Sequence, residues 1–371
     1  MRNIFPSMPE PTPVDVLLVS PGTTAGWRRV DGELAELLAE LGLSTAVAST
    51  DFPIAGRFRR GVVMTDLAEA FAMRRALTRA LRRHRPRAIV YSSPQATMLQ
   101  PAGRLEGATA VRFDEPAATN RAGPATALLH ALERRALGRV RLLLPLGVEP
   151  SAEARVLDVE RPMVALPVGI PVATAAGRTR ERTVVLYAGN PEKKGLARAV
   201  SAWARSAPSG WRLQVTGIES ERGRRHLDRH GVREPGGIEW AGIVAPERFG
   251  ELLARASVFV SASRHEDYGL AQLEALGAGL ALVTLPASGP YPALALARTL
   301  DARLVARDDS AEALAGALEA ALDLDDAARA RYAERARGLL RPHSREELRR
   351  RLSEEVLPVL LGPPGVSQNR Q

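Results

Sequence analysis

The chain contains no cysteine, which excludes disulfide bonds and cysteine-ligated metal centres. Aromatic residues make up only 4% of the sequence, which argues against the base-stacking surfaces of proteins that bind single-stranded nucleic acid. No apolar run reaches the roughly 18 residues that predict a membrane-spanning helix, and the first residues lack the apolar core of a secretory signal. We therefore expect a cytoplasmic protein, either free in solution or bound peripherally to the inner face of a membrane.

Lysine is almost missing as well. Lys193 and Lys194 are the only two lysines, so nearly all of the 51 Lys+Arg residues are arginine. The formal net charge is +9, and the excess is divided almost evenly between the two halves of the chain. A spread excess favours anionic partners such as nucleotide phosphates or anionic lipid. Nucleic acid is not expected, because no helix-turn-helix, zinc-finger or RNA-binding pattern accompanies the charge.

Short apolar runs alternate with amphipathic segments in both halves of the chain. At 371 residues the length is typical of two domains, and the alternation predicts two parallel, doubly wound, Rossmann-like α/β sheets facing a central cleft. The predicted strands cover residues 14–20, 44–49, 87–92, 109–113, 141–145, 164–167, 183–188, 212–216, 238–242, 257–261 and 281–285. We place the domains at 1–170 and 171–343, followed by a terminal helix at 344–361 that packs back on the first domain and a disordered tail at 362–371.

The first candidate site is the loop Gly189-Asn190-Pro191-Glu192-Lys193-Lys194-Gly195, which follows a predicted strand and precedes a predicted helix. Such a loop directs backbone N–H groups and the positive end of a helix dipole towards an anion. A compact, flexible ammonium group suits a contact to phosphate. The concentration of both lysines here favours a phosphate-binding loop over a solvated helix start.

The second candidate site follows the predicted strand 257–261 and contains two glutamates, Glu266 and Glu274. Glu266 precedes a predicted helix and Glu274 lies within it, so the two carboxylates are about 8–12 Å apart along the axis. That separation suits two contacts on one extended ligand, such as the hydroxyls of a ribose and a hexose. Gly269 permits close approach of the backbone to a ligand, and the helix start offers free N–H groups for phosphate. The alternative is a capping Glu266 and an ordinary surface Glu274.

The segment 263–279 resembles the E-x7-E signature of the GT-B glycosyltransferases grouped as family four, whose pattern is S-x-x-E-x-F/Y-G-L-x-x-L-E-A-x-A-x-G. Tyr268 fills the aromatic position, and Gly277 replaces an alanine of the pattern. The loop Gly189–Gly195 is similar to the family's glycine-to-lysine loop, and residues 141–145 and 166–170 look like its segments before the second domain. The resemblance covers residues 180–290, whereas the first half matches in layout only.

The resemblance implies a GT-B fold and a retaining, metal-independent glycosyltransferase. Such an enzyme moves a hexosyl unit from a nucleoside-diphosphate sugar to a glycan, a lipid-linked acceptor or a small molecule held by the first domain. Carried over by position, Lys194 would contact the diphosphate, Glu266 would hold the transferred sugar, and Glu274 would bind the ribose. The implied donor-binding residues are Gly22, Thr23, Gly189, Asn190, Lys193, Lys194, Ile243, Val244, His265, Glu266, Tyr268, Gly269, Leu270 and Glu274, with no metal or other cofactor.

The chain departs from the family pattern at two places. Many family members have arginine where Asn190 stands, so one phosphate contact is missing or is supplied by Lys193 or Arg264. The family's histidine after the fourth strand is absent from residues 111–116, where Asp114 or Arg112 takes its place in this interpretation. The implied catalytic residues are Glu266, Lys194 and Asp114.

Two other functions remain open. A nicotinamide-dependent oxidoreductase would bind its cofactor at Gly22–Gly26 and Asp51, although no G-x-G-x-x-G pattern is present. A degenerate transferase that binds a nucleotide and serves as a partner subunit would explain the missing histidine.

Three further features lie outside these loops. His226 and His230 are four residues apart on a predicted helix, but no third ligand is near them in the sequence, so a surface pair is preferred over a metal site. Asp323-Leu-Asp325 does not follow a strand and is expected on the surface. The segment Arg57–Arg87 is rich in arginine, with seven arginines and no acid between Arg74 and Arg87. It predicts either a docking surface for an anionic membrane whose lipid bears the acceptor or a solvated helix face.

Overall fold

The computed structural model describes residues 10–22, 25–50, 62–114, 116, 126–148, 157, 159–173, 180–206, 209–289 and 291–362. The chain divides into two compact units. The first unit contains Met1–Gly169 and Arg345–Gln371, and the second contains Ile170–Ser344.

Each unit contains one five-stranded sheet, and every strand pair in both sheets is parallel. The order is β2-β1-β3-β4-β5 in the first unit and β10-β9-β6-β7-β8 in the second. The strands are β1 (Thr12–Ser20), β2 (Thr45–Ser49), β3 (His84–Tyr91), β4 (Thr109–Phe113), β5 (Leu142–Pro145), β6 (Thr183–Tyr187), β7 (Arg212–Thr216), β8 (Ile238–Gly242), β9 (Val258–Ser261) and β10 (Ala281–Thr284). The two sheets confirm the predicted α/β fold class.

Helices connect the strands and cover the sheets. They are α1 (Ala25–Glu40), α2 (Val62–Ala80), α3 (Gln95–Met98), α4 (Ala102–Leu105), α5 (Ala127–Leu137), α6 (Leu196–Ser206), α7 (Ser220–Arg229), α8 (Pro246–Arg255), α9 (Leu270–Gly277), α10 (Pro292–Asp301), α11 (Ala311–Leu322), α12 (Asp326–Leu339), α13 (Arg345–Arg351) and α14 (Leu357–Leu361). Among the described residues, no helix is both long enough and apolar enough to cross a bilayer.

Strand β1 shows why the first sheet is buried on both faces. Alternate residues of a strand point to opposite faces. Leu17 and Val19 accordingly pack into one apolar cluster, and Val16 and Leu18 pack into another. All four side chains are at most 1% exposed. A strand covered by helices on both faces reads as a continuous apolar run, which is typical of parallel sheets.

The strand predicted at residues 164–167 is not formed. The segment passes beside β5, where Val164 N–H donates to Leu143 O and Leu166 N–H donates to Pro145 O. Among the described residues, one β-bridge occurs beside this segment, and it joins Met163 to Leu143. Pro145 has no N–H group with which to continue the ladder, so pairing stops after these contacts.

The terminal segment returns to the first unit. Helix α13 continues through a π-helical turn, Leu352–Val356, into α14. Leu348, Leu352, Val356 and Leu360 recur every four residues and join the apolar cluster that contains Val16. This spacing places them on one helix face, which therefore packs against the sheet.

The strand order of the second sheet brings the two candidate loops together. Strand β6 pairs with β7 on one side and with β9 on the other, so the chain leaves β6 in one direction and later returns to its opposite side. Ligands of open α/β sheets bind at the carboxyl ends of the strands beside such a reversal. The loops that follow β6 and β9 flank this position. In the first sheet, the loops that follow β1 and β3 have the same relationship.

Candidate functional site

The loop after β6 is shaped by Asn190 and Gly195. The Asn190 side-chain oxygen accepts a hydrogen bond from the N–H of Lys193 (3.1 Å), and its carbonyl accepts one from the N–H of Lys194 (2.8 Å). Gly195 has φ +65°, and a Cβ there would overlap the carbonyl oxygen of Ala262. Only glycine satisfies both constraints. The loop after β6 therefore packs directly against the loop after β9.

Lys194 and Glu266 meet where these loops touch. The Lys194 ammonium donates to both carboxylate oxygens of Glu266, at 2.7 and 2.8 Å. The Glu266 side chain is only 3% exposed and that of Lys194 is 19% exposed. Ser263 Oγ and Gln272 Nε2 also donate to Glu266 Oε1, at 2.6 and 2.9 Å. Three donors thus fix a buried carboxylate in one orientation. Oε1 accepts hydrogen bonds from all three donors, whereas Oε2 accepts one, from Lys194.

Lys193 has a different environment. It lies 2.5 Å from Asp267, and both side chains are about two-fifths exposed, at 41% and 42%. Burial raises the pKa of Asp267, but hydrogen bonds and charge from Lys193 and His265 outweigh it and hold the pKa below its ordinary value. His265 lies between Asp267 (3.1 Å) and Ser288 Oγ (2.9 Å). This predicted site residue therefore connects the loop after β9 to the segment after β10.

Helix α9 begins with an open N-terminus. Gly269, its N-cap, has φ +78°, and a Cβ there would overlap the ring of Tyr291. No side chain of the described residues caps the helix. Its first N–H groups, starting with that of Leu270, therefore have no partner within the helix and can bind an anion. Tyr268, one residue before the cap, places its hydroxyl 3.4 Å from His343 Nδ1.

Glu274 lies on the same helix and is only 7% exposed. Burial raises the pKa of Tyr187 at the end of β6, and the charges of Glu274 and Glu266 raise it further. The charges of both carboxylates therefore act on the same tyrosine. The structure brings the two predicted glutamates to the same end of the sheet as Lys194.

Gly217 is a site residue that the sequence analysis missed. It follows β7 with φ +85°, and a Cβ there would overlap the ring of Tyr187 and lie 2.9 Å from the N–H of Gly189. A single glycine among the 31 in the chain carries no signal of this close approach. Its N–H donates to Gly242 O at 2.8 Å, which links the loop after β7 to the last residue of β8.

Ile243 and Val244 are farther from the lysine and glutamate cluster. They follow β8, which is an edge strand separated from β6 by β7. The Ile243 side chain is 69% exposed, and its N–H lies 3.5 Å from Glu219 Oε1. Among the described residues, no hydrogen bond or ion pair joins Ile243 or Val244 directly to Lys194 or Glu266, so the role of this loop in binding the base stays a prediction.

The first unit contains a buried network at the ends of β1 and β3. Asp31 accepts hydrogen bonds from Ser20 and from Ser92, the latter at 2.6 Å, and lies 3.6 Å from Arg112. All four side chains are buried. The sequence analysis missed Asp31 because it lies in an amphipathic helix with no pattern around it.

Two predicted residues, Gly22 and Asp114, follow strands β1 and β4 of the same sheet. Gly22 has φ +62° and donates its N–H to Ser20 Oγ at 3.0 Å. Asp114 follows β4 and is half-buried. Thr23, and Asp51 of the oxidoreductase alternative, lie outside the described residues. The roles of Gly22 and Asp114 remain predictions.

The histidine pair has a third member. Glu192 Oε2 lies 3.3 Å from His230 Nε2, and the two histidine rings have centroids 4.3 Å apart. His226 is only 2% exposed, so the preferred surface pair is wrong for this residue. Burial lowers the pKa of His226 below its ordinary value, and the electrostatic effect of His230 lowers it further. The third ligand was missed because Glu192 belongs to a distant loop.

The Asp323-Leu-Asp325 pattern lies on the surface, as predicted. Asp323 and Asp325 are both exposed. The Asp325 side chain accepts a hydrogen bond from the N–H of Ala328 at 2.6 Å and caps α12. A helix cap accounts for this acid without a metal.

Comparison with known proteins places the site within a recognised domain. Residues 182–323 match the family model described as Glycosyl transferases group 1. This segment contains the loops after β6 and β9, with Lys194, Glu266 and Glu274. The match supports glycosyl transfer over nicotinamide-dependent oxidation. No curated protein matches the chain.

Several solved structures share the fold. A glycosyltransferase from Rickettsia africae ESF-5 has a TM-score of 0.65 and 12% identity, and the match covers 95% of this chain and 100% of that one. WaaG, a glycosyltransferase involved in lipopolysaccharide biosynthesis, gives 0.62 and 16%, with coverage of 88% and 94%. An α,α-trehalose-phosphate synthase (UDP-forming) from Burkholderia vietnamiensis gives 0.62 and 15%, with coverage of 92% and 99%. At these identities the likeness concerns the fold, which is GT-B.

Proposed function

We propose that the protein is a retaining glycosyltransferase that moves a hexosyl unit from a nucleoside-diphosphate sugar to an acceptor hydroxyl. The observation that carries this proposal is the convergence of Lys194, Glu266, Glu274 and the open start of α9 at the end of strands β6 and β9. These groups offer one cation, free backbone N–H donors and two buried carboxylates. A diphosphate with a sugar at each end requires that combination. A neighbour of the same fold is described as UDP-forming, which supports a nucleoside diphosphate as the leaving group.

The donor would be bound in three parts. Lys194 and the first N–H groups of α9 would hold the diphosphate, with Lys193 as a second cation. Glu274 would accept hydrogen bonds from the ribose hydroxyls. Glu266 would do the same for the transferred hexose. In the free protein Lys194 is paired with Glu266, so diphosphate binding would exchange one anionic partner of the lysine for another.

The chemical step needs no nucleophile from the protein. The bond between the sugar C1 and the diphosphate oxygen breaks, and its electron pair leaves with the diphosphate. The acceptor oxygen forms the new bond to C1 on the same face, and its proton passes to the departing diphosphate oxygen. Catalysis then rests on positioning and on neutralising the leaving group. Lys194 and the helix N-terminus would supply that neutralisation without a metal ion. Asp114 would help to position the acceptor.

Donor binding tests the first part of the proposal. UDP, GDP, ADP and their sugars are added to the purified protein in EDTA, and the melting temperature is recorded. One nucleoside diphosphate at about 100 times its Kd should stabilise the fold by about 2.7 kcal/mol. Lys194→Ala should weaken its binding at least tenfold, whereas Arg248→Ala should leave it unchanged, because Arg248 is an exposed residue of α8 that pairs with Glu251. A shift with NADH and none with any nucleoside diphosphate would overturn the proposal.

Turnover separates an enzyme from a degenerate nucleotide-binding subunit. The stabilising sugar nucleotide is incubated with the protein, and the released sugar is followed by proton NMR. A retaining transferase releases first the anomer that the donor carries. Release of the opposite anomer would contradict retention, and binding without release or transfer to any acceptor would favour the partner-subunit alternative.

We further propose that the acceptor is lipid-linked and that α2 docks on an anionic membrane. Met64, Phe71, Arg75 and Arg82 repeat at intervals of seven and four residues, which places them on one face of the helix and its C-terminal extension. Met64 and Phe71 are 62% and 55% exposed, and the arginines from Arg74 to Arg87 are all exposed. Exposed apolar side chains flanked by arginine are typical of helices that lie in a membrane interface. Arg57, Arg59 and Arg60 lie outside the described residues.

Vesicle sedimentation tests this surface. The protein should bind vesicles with about 30% phosphatidylglycerol, should bind pure phosphatidylcholine weakly, and should be released by salt. Phe71→Ser and Arg75→Glu should each reduce binding severalfold, whereas Arg248→Glu, at another exposed arginine, should not. Equal loss for Arg75→Glu and Arg248→Glu, with no loss for the uncharged change Phe71→Ser, would indicate net charge alone and would contradict a specific docking face.

A further inference from the structure

Three potential metal ligands converge at the loop Gly189–Gly195, the proposed phosphate loop. His226 lies in α7, His230 directly follows that helix, and Glu192 comes from the loop after β6. One donor atom from each of the three lies within 4.8 Å of the others. The residues come from two separate elements, and their convergence is not explained by any contact of the proposed donor site.

The hydrogen bonding of His230 determines what it can offer to Glu192. Its Nδ1 lies 2.8 Å from the carbonyl oxygen of His226. A carbonyl only accepts, so Nδ1 carries a proton. The other nitrogen, Nε2, faces Glu192 Oε2 at 3.3 Å. In a neutral ring this contact opposes two lone pairs, so it requires a cation between or on the two groups. That cation is either a proton shared by the imidazole and the carboxylate or a metal ion.

The distance between Glu192 and His230 suits a shared metal ion. Zinc binds imidazole nitrogen and carboxylate oxygen at about 2.0–2.2 Å in a tetrahedron, which places two ligands about 3.3–3.5 Å apart. The Glu192 to His230 separation of 3.3 Å agrees with this spacing. The hydrogen bond from Nδ1 to a carbonyl is the arrangement that orients histidine ligands in metal sites.

We infer that Glu192, His226 and His230 bind one divalent ion of the zinc type. Two nitrogens and one carboxylate oxygen form the donor set that zinc accepts, with a fourth position left for water. His226 is buried at 2% exposure, whereas the side chains of Glu192 and His230 are 77% and 37% exposed. The ion can therefore enter from solvent past Glu192 and His230, and His226 binds it from the buried side.

The ion fixes the phosphate loop to α7. Glu192 directly precedes Lys193 and Lys194, so a bond from its carboxylate restricts the backbone that carries both lysines. Any benefit to donor binding rests on the proposed function, whereas metal binding itself does not. The ion has no part in the group transfer.

Metal titration tests the inference on the full chain. Protein treated with EDTA and desalted is titrated with Zn²⁺ against a chromophoric chelator, and with Co²⁺ while its visible absorption is recorded. We expect one ion per chain and a visible Co²⁺ spectrum of tetrahedral intensity. Glu192→Gln and His230→Ala, both at exposed positions, should each weaken zinc binding at least tenfold. Glu221→Gln, an exposed acid of the same helix that pairs with Arg225, and His130→Ala in α5 should retain the wild-type affinity.

A second readout follows the loop itself. Zn²⁺ should slow amide hydrogen exchange in residues 189–195 of the wild type and leave the exchange of the His230→Ala variant unchanged. Absence of stoichiometric binding, or equal affinity in the wild type and in both site variants, would overturn the metal site and identify the contact as an imidazolium–carboxylate pair. Zinc binding without nucleoside-diphosphate binding would leave this inference intact and reject the proposed function, and the reverse result would do the opposite.

Discussion

Lys194 lies 2.7 and 2.8 Å from the two carboxylate oxygens of Glu266, although 72 positions separate the residues in the chain. The contact exists because β6 and β9 are neighbours in the sheet and end at the same edge. Ser263 and Gln272 also hold the carboxylate, but they bring no positive charge. Lys194 therefore provides the charge that balances a carboxylate with 3% exposure.

Removing this charge should destabilise the ligand-free protein. We expect Lys194→Met to lower the free energy of unfolding by about 1–3 kcal/mol, somewhat less than for a fully buried pair because the lysine is partly exposed. The double variant Lys194→Met/Glu266→Gln should recover part of the loss, because the uncompensated carboxylate is gone. Urea unfolding of the single and double variants gives the coupling energy.

The neighbouring lysine provides a matched control. Lys193→Met breaks a pair in which both side chains are about two-fifths exposed, at 41% and 42%, so we expect a loss below about 1 kcal/mol. Equal losses for Lys193→Met and Lys194→Met would contradict the distinction between the two lysines.

The loop Gly189–Gly195 should be sensitive to one added methyl group. Gly195→Ala places a Cβ against the carbonyl oxygen of Ala262 at a positive φ, and we expect a loss of at least about 2 kcal/mol. Gly316→Ala is the control, because Gly316 lies within α11 and has open space around its Cα. That change should stabilise the protein by about 0.5–1 kcal/mol. Thermal unfolding of the two variants checks the opposite signs, and a tolerated Gly195→Ala would show that the loop is not packed as described.

The fold class could be predicted because buried parallel strands are short apolar runs bounded by turns. The runs at 183–188, 212–216 and 281–285 coincide with β6, β7 and β10 to within one residue at either end. The predicted ends of strands were wrong where apolar periodicity is weak. The strand predicted at 87–92 begins earlier, at His84, because the arginine-rich residues before it carry no apolar signal.

The candidate site could be predicted in part. The glycine, lysine and glutamate patterns are local in the sequence, so the two loops were identifiable. Their contact depends on strand order, which is set by packing between distant elements. Gly217, Asp31 and Glu192 escaped prediction for this reason, since each meets its partners only in the folded sheet.

Glu274 should contribute more to binding than to stability. Glu274→Gln keeps the shape of the side chain and one acceptor oxygen, so the melting temperature of the free protein should stay close to the wild-type value. The same change removes a charged acceptor for the ribose hydroxyls and should weaken nucleoside-diphosphate binding about 10- to 100-fold. Calorimetric titration and thermal unfolding of one preparation measure both effects. Glu312→Gln, an acid in the first turn of α11, is the control and should alter neither by a comparable amount. A destabilised variant with unchanged affinity would assign Glu274 to structure alone.

Glu33 of α1 should make the stability of the protein depend on pH in a specific direction. Burial raises its pKa above the ordinary value, and the charge of Arg112 and a hydrogen bond from the N–H of Gly169 at 3.1 Å only partly oppose this. Between the ordinary and the raised pKa the folded state binds more protons than the unfolded state, so stability falls as pH rises through that window. Glu33→Gln keeps an acceptor for Gly169 and removes the charge. The variant should therefore be more stable than the wild type near pH 7, and the difference should disappear as the pH falls below about 4.3, the ordinary glutamate value. Melting temperatures from pH 4 to 8 measure this, with Glu36→Gln as the control, because Glu36 is 70% exposed and contacts only Arg345 among the ion pairs of the described residues. A difference between Glu33→Gln and wild type that stays constant across this range would show that the carboxyl group binds protons equally in the folded and unfolded states, and that burial does not raise its pKa.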